Sequence, residues 1–293
     1  MKKRIISYDV FRGILIIGMI IFHVLCNFYN GDFNKGLWYW IPVGFMMFLG
    51  IIIGQFLRDK SKKVLSIGIK LLLIFLTLNI PNFISNSSSF TFSKIILGNQ
   101  NIFSFEILFP MSVLILISLV LSKIASYQKH LLVLIFIFIA FFDTKIFYSY
   151  NALFFLFGTF GYFLSSVCNL DSFNKNTSLK YFSVLIIGII SFVLFYFFPP
   201  FNTLVIFQIL LFYFLSSYLF KDKKFLAKIG SESLFIYVFH IVLLRLLAIY
   251  IPKLENIFLT LIFSIFVFFM SWFFVFIKNF VYKLFLKYVG DVT

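Results

Sequence analysis

The sequence predicts an all-α integral membrane protein, with about ten transmembrane helices in one bundle and both termini cytoplasmic. Three observations predict it. Of the 293 residues, 62% are hydrophobic and only 12% charged, with a mean hydropathy of +1.07; a soluble domain of this length does not tolerate so apolar a composition. Apolar runs recur at about 17–25 residues, the length that crosses a hydrocarbon core of about 30 Å. The cations are also unevenly placed. When the runs are threaded back and forth from a cytoplasmic N-terminus, 18 of the 25 Lys and Arg fall on the inner side, and four (Lys35, Lys94, Lys145 and Lys253) fall outside. That asymmetry follows the positive-inside rule and supports an even number of spans with both termini cytoplasmic. The other three cations, Arg12, Lys70 and Arg245, lie within spans.

The runs fall at about 10–27, 37–57, 64–80, 102–121, 130–142, 150–168, 181–198, 203–220, 233–250 and 256–277. The first starts at Val10, is interrupted by Asp9, Arg12 and His23, and has no small-residue cleavage site behind it, so it reads as a retained helix rather than a signal peptide. The fifth is the shortest. In the sixth, Gly158-Thr-Phe-Gly161 has the small-x-x-small spacing of helix packing, not the form of a nucleotide loop. The longest gaps, the Ser- and Asn-rich 81–101 and then 169–180, are connectors, so residues 1–293 read as a single membrane domain. Past the last run, Lys278, Lys283 and Lys287 are spaced as in an amphipathic helix on the cytoplasmic surface, over 278–290.

The net charge of +15 is accounted for by this topology and needs no nucleic-acid partner, although the Lys221–Lys228 loop is suited to anionic lipid or a phosphorylated ligand. Cys26 and Cys168 lie in different spans, so no disulfide framework and no metal-ligand spacing is visible. No metal is expected. The 48 phenylalanines read as compositional bias rather than a ligand-binding array. A Walker loop, a zinc cluster and a nucleophile elbow are all missing, which excludes the soluble catalytic families they mark.

Ionisable groups inside spans are therefore the candidates for chemistry. Asp9 and Arg12 are three residues apart on one helix face near the cytoplasmic boundary; they form a structural ion pair, or Arg12 holds an anion or anchors a neighbouring helix. His23 lies about 21 Å further along the same helix, in the outer part of the span. It is either a hydrogen-bonded histidine between helices or a general base. Cys26 and Asn27 follow one turn later on its face: Asn27 is a candidate to orient a substrate, and Cys26 reads as a packing thiol. Glu106, near the outer end of the fourth span, and Arg245, in the outer half of the ninth, either pair with each other or line a substrate cavity beside His23, and Gln208 in the eighth suits either arrangement. His240 falls at mid-membrane, a hydrogen-bonding residue or an alternative base. Lys70, mid-span in the third run, faces a cavity or an acid, or snorkels toward the cytoplasm.

Two segments carry a resemblance. Asp9-Val-Phe-Arg12-Gly13, followed by Met19 and His23, resembles the opening helix of the heparan-alpha-glucosaminide N-acetyltransferase-like family, within a wider transmembrane acyltransferase superfamily. Ile229-Gly230-Ser231-Glu-Ser233-Leu234-Phe-Ile-Tyr237-Val-Phe-His240 is similar to the Gly-x-x-Ser-Leu-x-x-Tyr-x-x-His helix of that superfamily. Weaker echoes are Pro42-Val-Gly44 through Gly50 with Arg58, and Phe154 through Gly161. The resemblance covers about a third of the chain and implies a prokaryotic-type membrane acyltransferase. Such an enzyme moves an acetyl or other short acyl group from cytoplasmic acetyl coenzyme A to an amino or hydroxyl group of an envelope glycan or glycolipid at the outer face. On that reading His23, or failing it His240, is catalytic. Asp9, Arg12 and Lys70 serve the donor, and Asn27, Glu106, Gln208 and Arg245 the acceptor. There is one departure: eukaryotic members place Asn at the position of His23 and a histidine in the first external loop, and here Phe28 to Gly36 has none.

The rival readings are a secondary transporter or flippase, disfavoured by the lack of an internal repeat, and a non-catalytic scaffold. The expected partners are the lipid bilayer of the cell membrane and the glycan acceptor, with a homodimer admissible.

Overall fold

The structure, a computed structural model, describes residues 6–32, 40–57, 60–85, 107–123, 150–167, 202–220 and 223–290. Helices account for nearly all of them: α1 (Ile6–Phe28), α2 (Trp40–Ile52, prolonged by a π turn over Ile53–Leu57), α3 (Ser61–Ser85), α4 (Leu108–Leu121), α5 (Tyr150–Val167), α6 (Asn202–Leu219), α7 (Lys224–Ser231), α8 (Ser233–Tyr250) and α9 (Ile257–Gly290). No strand forms among the described residues, apart from one isolated parallel bridge between Tyr29 and Leu254. Among the described residues, five helices are long and apolar enough to cross a bilayer: Ile6–Phe28, Trp40–Leu57, Ser61–Pro81, Ser233–Tyr250 and Ile257–Leu284. The chain is therefore multi-pass in character, as its composition requires. The expected spans at 130–142 and 181–198 lie outside the described residues.

Local chemistry explains the helix ends. Asn256 Oδ1 accepts from the amides of Phe258 and Leu259, at 2.8 and 3.4 Å, and so caps α9. Pro252 forces the residue before it out of the helical region, and Ile251 is extended at the end of α8 (φ −105, ψ 118). Between α7 and α8 the run Gly230-Ser231-Glu232-Ser233 is rich in poor helix formers. There Ser231 Oγ donates to the Lys228 carbonyl at 2.7 Å and Glu232 leaves the helix.

The single bundle expected from the sequence resolves into two helical sets. One holds α2–α6; the other holds α1 and α7–α9. In the first set α2 packs closely on α5. A Cβ built on Gly50 would overlap the Gly158 carbonyl oxygen, and one on Gly161 the Met47 carbonyl oxygen. Gly50 and Gly161 thus act as the small residues that let these two helices approach, whereas a Cβ on Gly158 would meet the Leu114 side chain of α4.

In the second set α1 packs against α7, α8 and α9. A Cβ on Gly230 would overlap the Asp9 carbonyl oxygen, and one on Gly13 the Leu226 carbonyl oxygen. The Lys221–Lys228 region, read from its lysines as a plain loop, is therefore partly helix, and the late motif is broken at Glu232 rather than being one helix. The 278–290 segment is likewise the end of α9, which runs unbroken for 34 residues. That is about 51 Å, more than one bilayer core needs. Lys278 pairs with Glu232 and lies 4.8 Å from the Phe235 ring, and Lys228 lies 5.6 Å from the Trp272 ring, so one end of this set is tied by charges and aromatics. Elsewhere α9 exposes Phe258, Ile262, Phe269, Phe273 and Phe276, a face that suits lipid.

Candidate active site

The two motif segments, far apart in the chain, meet in the second helical set. On α1, Arg12 and His23 are eleven residues apart, about three turns, which returns them to nearly one face. On α8, Ser233, Ile236, Tyr237, His240 and Leu244 are the buried residues; their spacing makes them a single stripe. The helices run in the same direction, because Arg12 meets Ser233, His23 meets His240, and the chain just past α1 pairs in parallel with Leu254. The expected topology asks the same of its first and ninth spans. The axial separations are about 16.5 Å on α1 and about 10.5 Å on α8. The length of the Arg12 side chain makes up the difference.

At one end, Arg12 Nη2 donates to Ser233 Oγ at 2.7 Å, and Arg12 Nη1 lies 3.7 Å from Asp9 Oδ1. The expected i, i+3 pair is present, and Arg12 also ties α1 to α8. Its side chain remains 25% exposed. At the other end, His23 Nδ1 and His240 Nε2 are 2.9 Å apart. The ring planes differ by 12° and the centroids lie 5.2 Å apart. This separation exceeds the nitrogen–nitrogen distance by about two ring radii, so the rings meet edge to edge in nearly one plane. His240 is fully buried, its Nδ1 lies 3.1 Å from the Ile236 carbonyl oxygen, and the Tyr237 ring packs edge-on against it at 5.4 Å. His23 keeps partial exposure. One ring is thus held inside the bundle while the other borders the space beside it.

The remaining candidates fall elsewhere. Asn27 donates from Nδ2 to the His23 carbonyl oxygen at 2.7 Å, closing the last turn of α1. Arg245 lies exposed on α8, beyond His240. Glu106 lies outside the described residues, and the Glu106–Arg245 pair with it. Lys70 is exposed on α3 beside Ile69 and near Leu73, the position of a snorkelling lysine, and Gln208 is buried on α6. Both belong to the other helical set. Ser233 was not singled out by sequence reasoning, although its place in the late motif, seven residues before His240, was a visible signal. Gly13 and Gly230 also stand in the two motif segments, but nothing in the sequence pairs them across 217 residues.

Compared with protein-family models, with curated proteins and with solved structures, the chain matches none.

Proposed function

We propose that the protein is a membrane acyltransferase, which moves an acetyl or other short acyl group from acyl coenzyme A to an amino or hydroxyl group of an envelope glycan or glycolipid. The observation that carries this reading is the contact of His23 with His240, three helix turns from an Arg12 cluster on the same pair of helices. A guanidinium at one depth suits the donor's phosphates, which stay near water because burying their charge is costly. An imidazole at another depth suits proton transfer near neutral pH. The gap of about 16.5 Å is one that an extended pantetheine arm can bridge.

In the proposed reaction His23 accepts the proton of the acceptor hydroxyl or ammonium-derived amine as its oxygen or nitrogen attacks the thioester carbonyl carbon. The new C–O or C–N bond forms, the C–S bond breaks, and the proton passes to the leaving thiolate to give free coenzyme A. The resemblance of the Asp9–His23 and Ile229–His240 segments to the acyltransferase superfamily supports the same assignment.

The test is to incubate purified protein with radiolabelled acetyl coenzyme A and a membrane glycolipid extract. A labelled lipid-phase product that depends on the protein is expected. Labelled donor left intact by folded protein, across extracts from several envelopes, would remove the reading.

The same proposal places the α7 end of the second set in the cytoplasm and the α8–α9 turn outside. Cysteine labelling checks this at two exposed positions. Lys223→Cys is expected to react with an impermeant maleimide only from the cytoplasmic side, and Lys253→Cys only from the opposite side. The reverse pattern would invert the topology and place the donor end outside.

A further inference from the structure

We infer that His240 is a positioning residue for His23 rather than a second base: it fixes the His23 tautomer so that Nε2 carries the lone pair, a role whose use in acyl transfer rests on the reading above.

A carbonyl oxygen only accepts, so His240 Nδ1, 3.1 Å from the Ile236 carbonyl, must donate. A neutral imidazole has one N–H, which leaves His240 Nε2 with a lone pair. The atom 2.9 Å away is His23 Nδ1, and two lone pairs do not face each other at that distance. His23 Nδ1 therefore donates, and its lone pair sits on Nε2. The alternative, a doubly protonated His240, would put an imidazolium at mid-span on a stripe with Ile236, Tyr237 and Leu244. A charge there is costly without a partner. The one acid of α1, Asp9, is about 21 Å from His23 along the axis; α8 carries none, and Glu232, just before it, is about 12 Å from His240.

The logic is that of any base whose far nitrogen is held so that its near nitrogen faces the substrate. Here the holder is itself held by a carbonyl one turn earlier in its own helix, so the orientation is transmitted from the α8 backbone to His23. When His23 Nε2 takes a proton, the resulting cation donates from Nδ1 to His240 Nε2. That bond becomes charge-assisted and stronger than in the resting state, and an interaction that strengthens as the reaction proceeds lowers its barrier.

Nitrogen-15 spectra of the imidazoles of the full-length protein in detergent test this without any activity. They are recorded at about pH 8, where an ordinary imidazole is neutral. The His23 signal is identified by its loss in His23→Ala. Wild type is expected to show a protonated Nδ1 and an unprotonated Nε2 at His23. His240→Phe keeps a ring and removes the acceptor, and should release His23 from that tautomer. His240→Gln returns an acceptor oxygen near the Nε2 position and should restore it. In transfer assays His240→Phe is expected to lower kcat on the order of tenfold or more, the scale at which orienting partners act, with the KM for acetyl coenzyme A little changed and His240→Gln recovering part of the loss. A His23 protonated at Nε2 in the wild type overturns the inference, whatever the variants do. So does a folded His240→Phe with wild-type His23 spectra and kcat. The expected tautomer in a protein that transfers no acyl group would instead overturn the acyltransferase reading and leave the tautomer assignment standing.

Discussion

His23→Ala is expected to cut acyl transfer by about 10²–10⁴-fold, the range a general base contributes, and to leave donor binding in place. The two effects separate because the proposed base, His23, and the Arg12 guanidinium sit three turns apart on α1. A ligand that binds only the native state stabilises it by mass action, by about 2.7 kcal/mol at a hundredfold excess over Kd. Coenzyme A should therefore raise the melting temperature of wild type and of His23→Ala alike. Arg12→Gln should lose most of that shift. It should also lower basal stability, since Arg12 pairs with Asp9 and donates to Ser233. Loss of transfer through kcat with an unchanged donor KM is the kinetic signature of a group used in the transition state and not in binding. If His23→Ala transfers at nearly the wild-type rate, the base lies elsewhere and the His23–His240 contact is structural.

The largest expected effect on stability comes from a methyl group. Gly230→Ala places its Cβ on the Asp9 carbonyl oxygen and Gly13→Ala on that of Leu226, both rigid backbone atoms. Neither helix can yield by a rotamer change, so α1 and α7 must separate. Overpacking of this kind costs about 1–3 kcal/mol. The two positions share one contact, with the Gly230 Cβ also 2.9 Å from the Gly13 amide. The double variant should therefore lose less than the sum of the single losses. Gly68→Ala is the comparison: its Cβ would meet side-chain atoms only, Leu116 Cδ2 at 2.7 Å and Cγ at 2.8 Å, which can shift where a backbone carbonyl cannot, and a smaller loss is expected. Thermal melts in one detergent, followed by circular dichroism, read all four. Equal melting of Gly230→Ala and wild type would show that α7 does not press on α1 as described.

Because α7 leans on the first turn of α1, the Arg12–Ser233 bond also depends on those glycines. Moving α7 displaces Glu232 and with it the start of α8. A variant at Gly230 is thus expected to disturb the Arg12–Ser233 end before the histidine pair, which lies further along both helices.

The sequence by itself determined the solvent of this protein and the state of its backbone. Residues as apolar as 10–27 or 256–277 have no water with which to satisfy their amides, so they must close their hydrogen bonds internally as helices. The Asp9–Arg12 pair was equally legible, because three residues along a helix return to one face. Partner choice was not legible. In lipid, the face of a helix that meets protein and the face that meets hydrocarbon are both apolar. Hydropathy therefore does not say that Ser233 lies against Arg12 across 221 residues, or His240 against His23 across 217. It also misread the lysine-rich stretch before Ser233 as a loop, since the glycine that draws it onto α1 has no hydropathy signal of its own. Only the tertiary structure decided those contacts, through backbone approach at Gly13 and Gly230 and through the hydrogen bonds that buried polar groups must find.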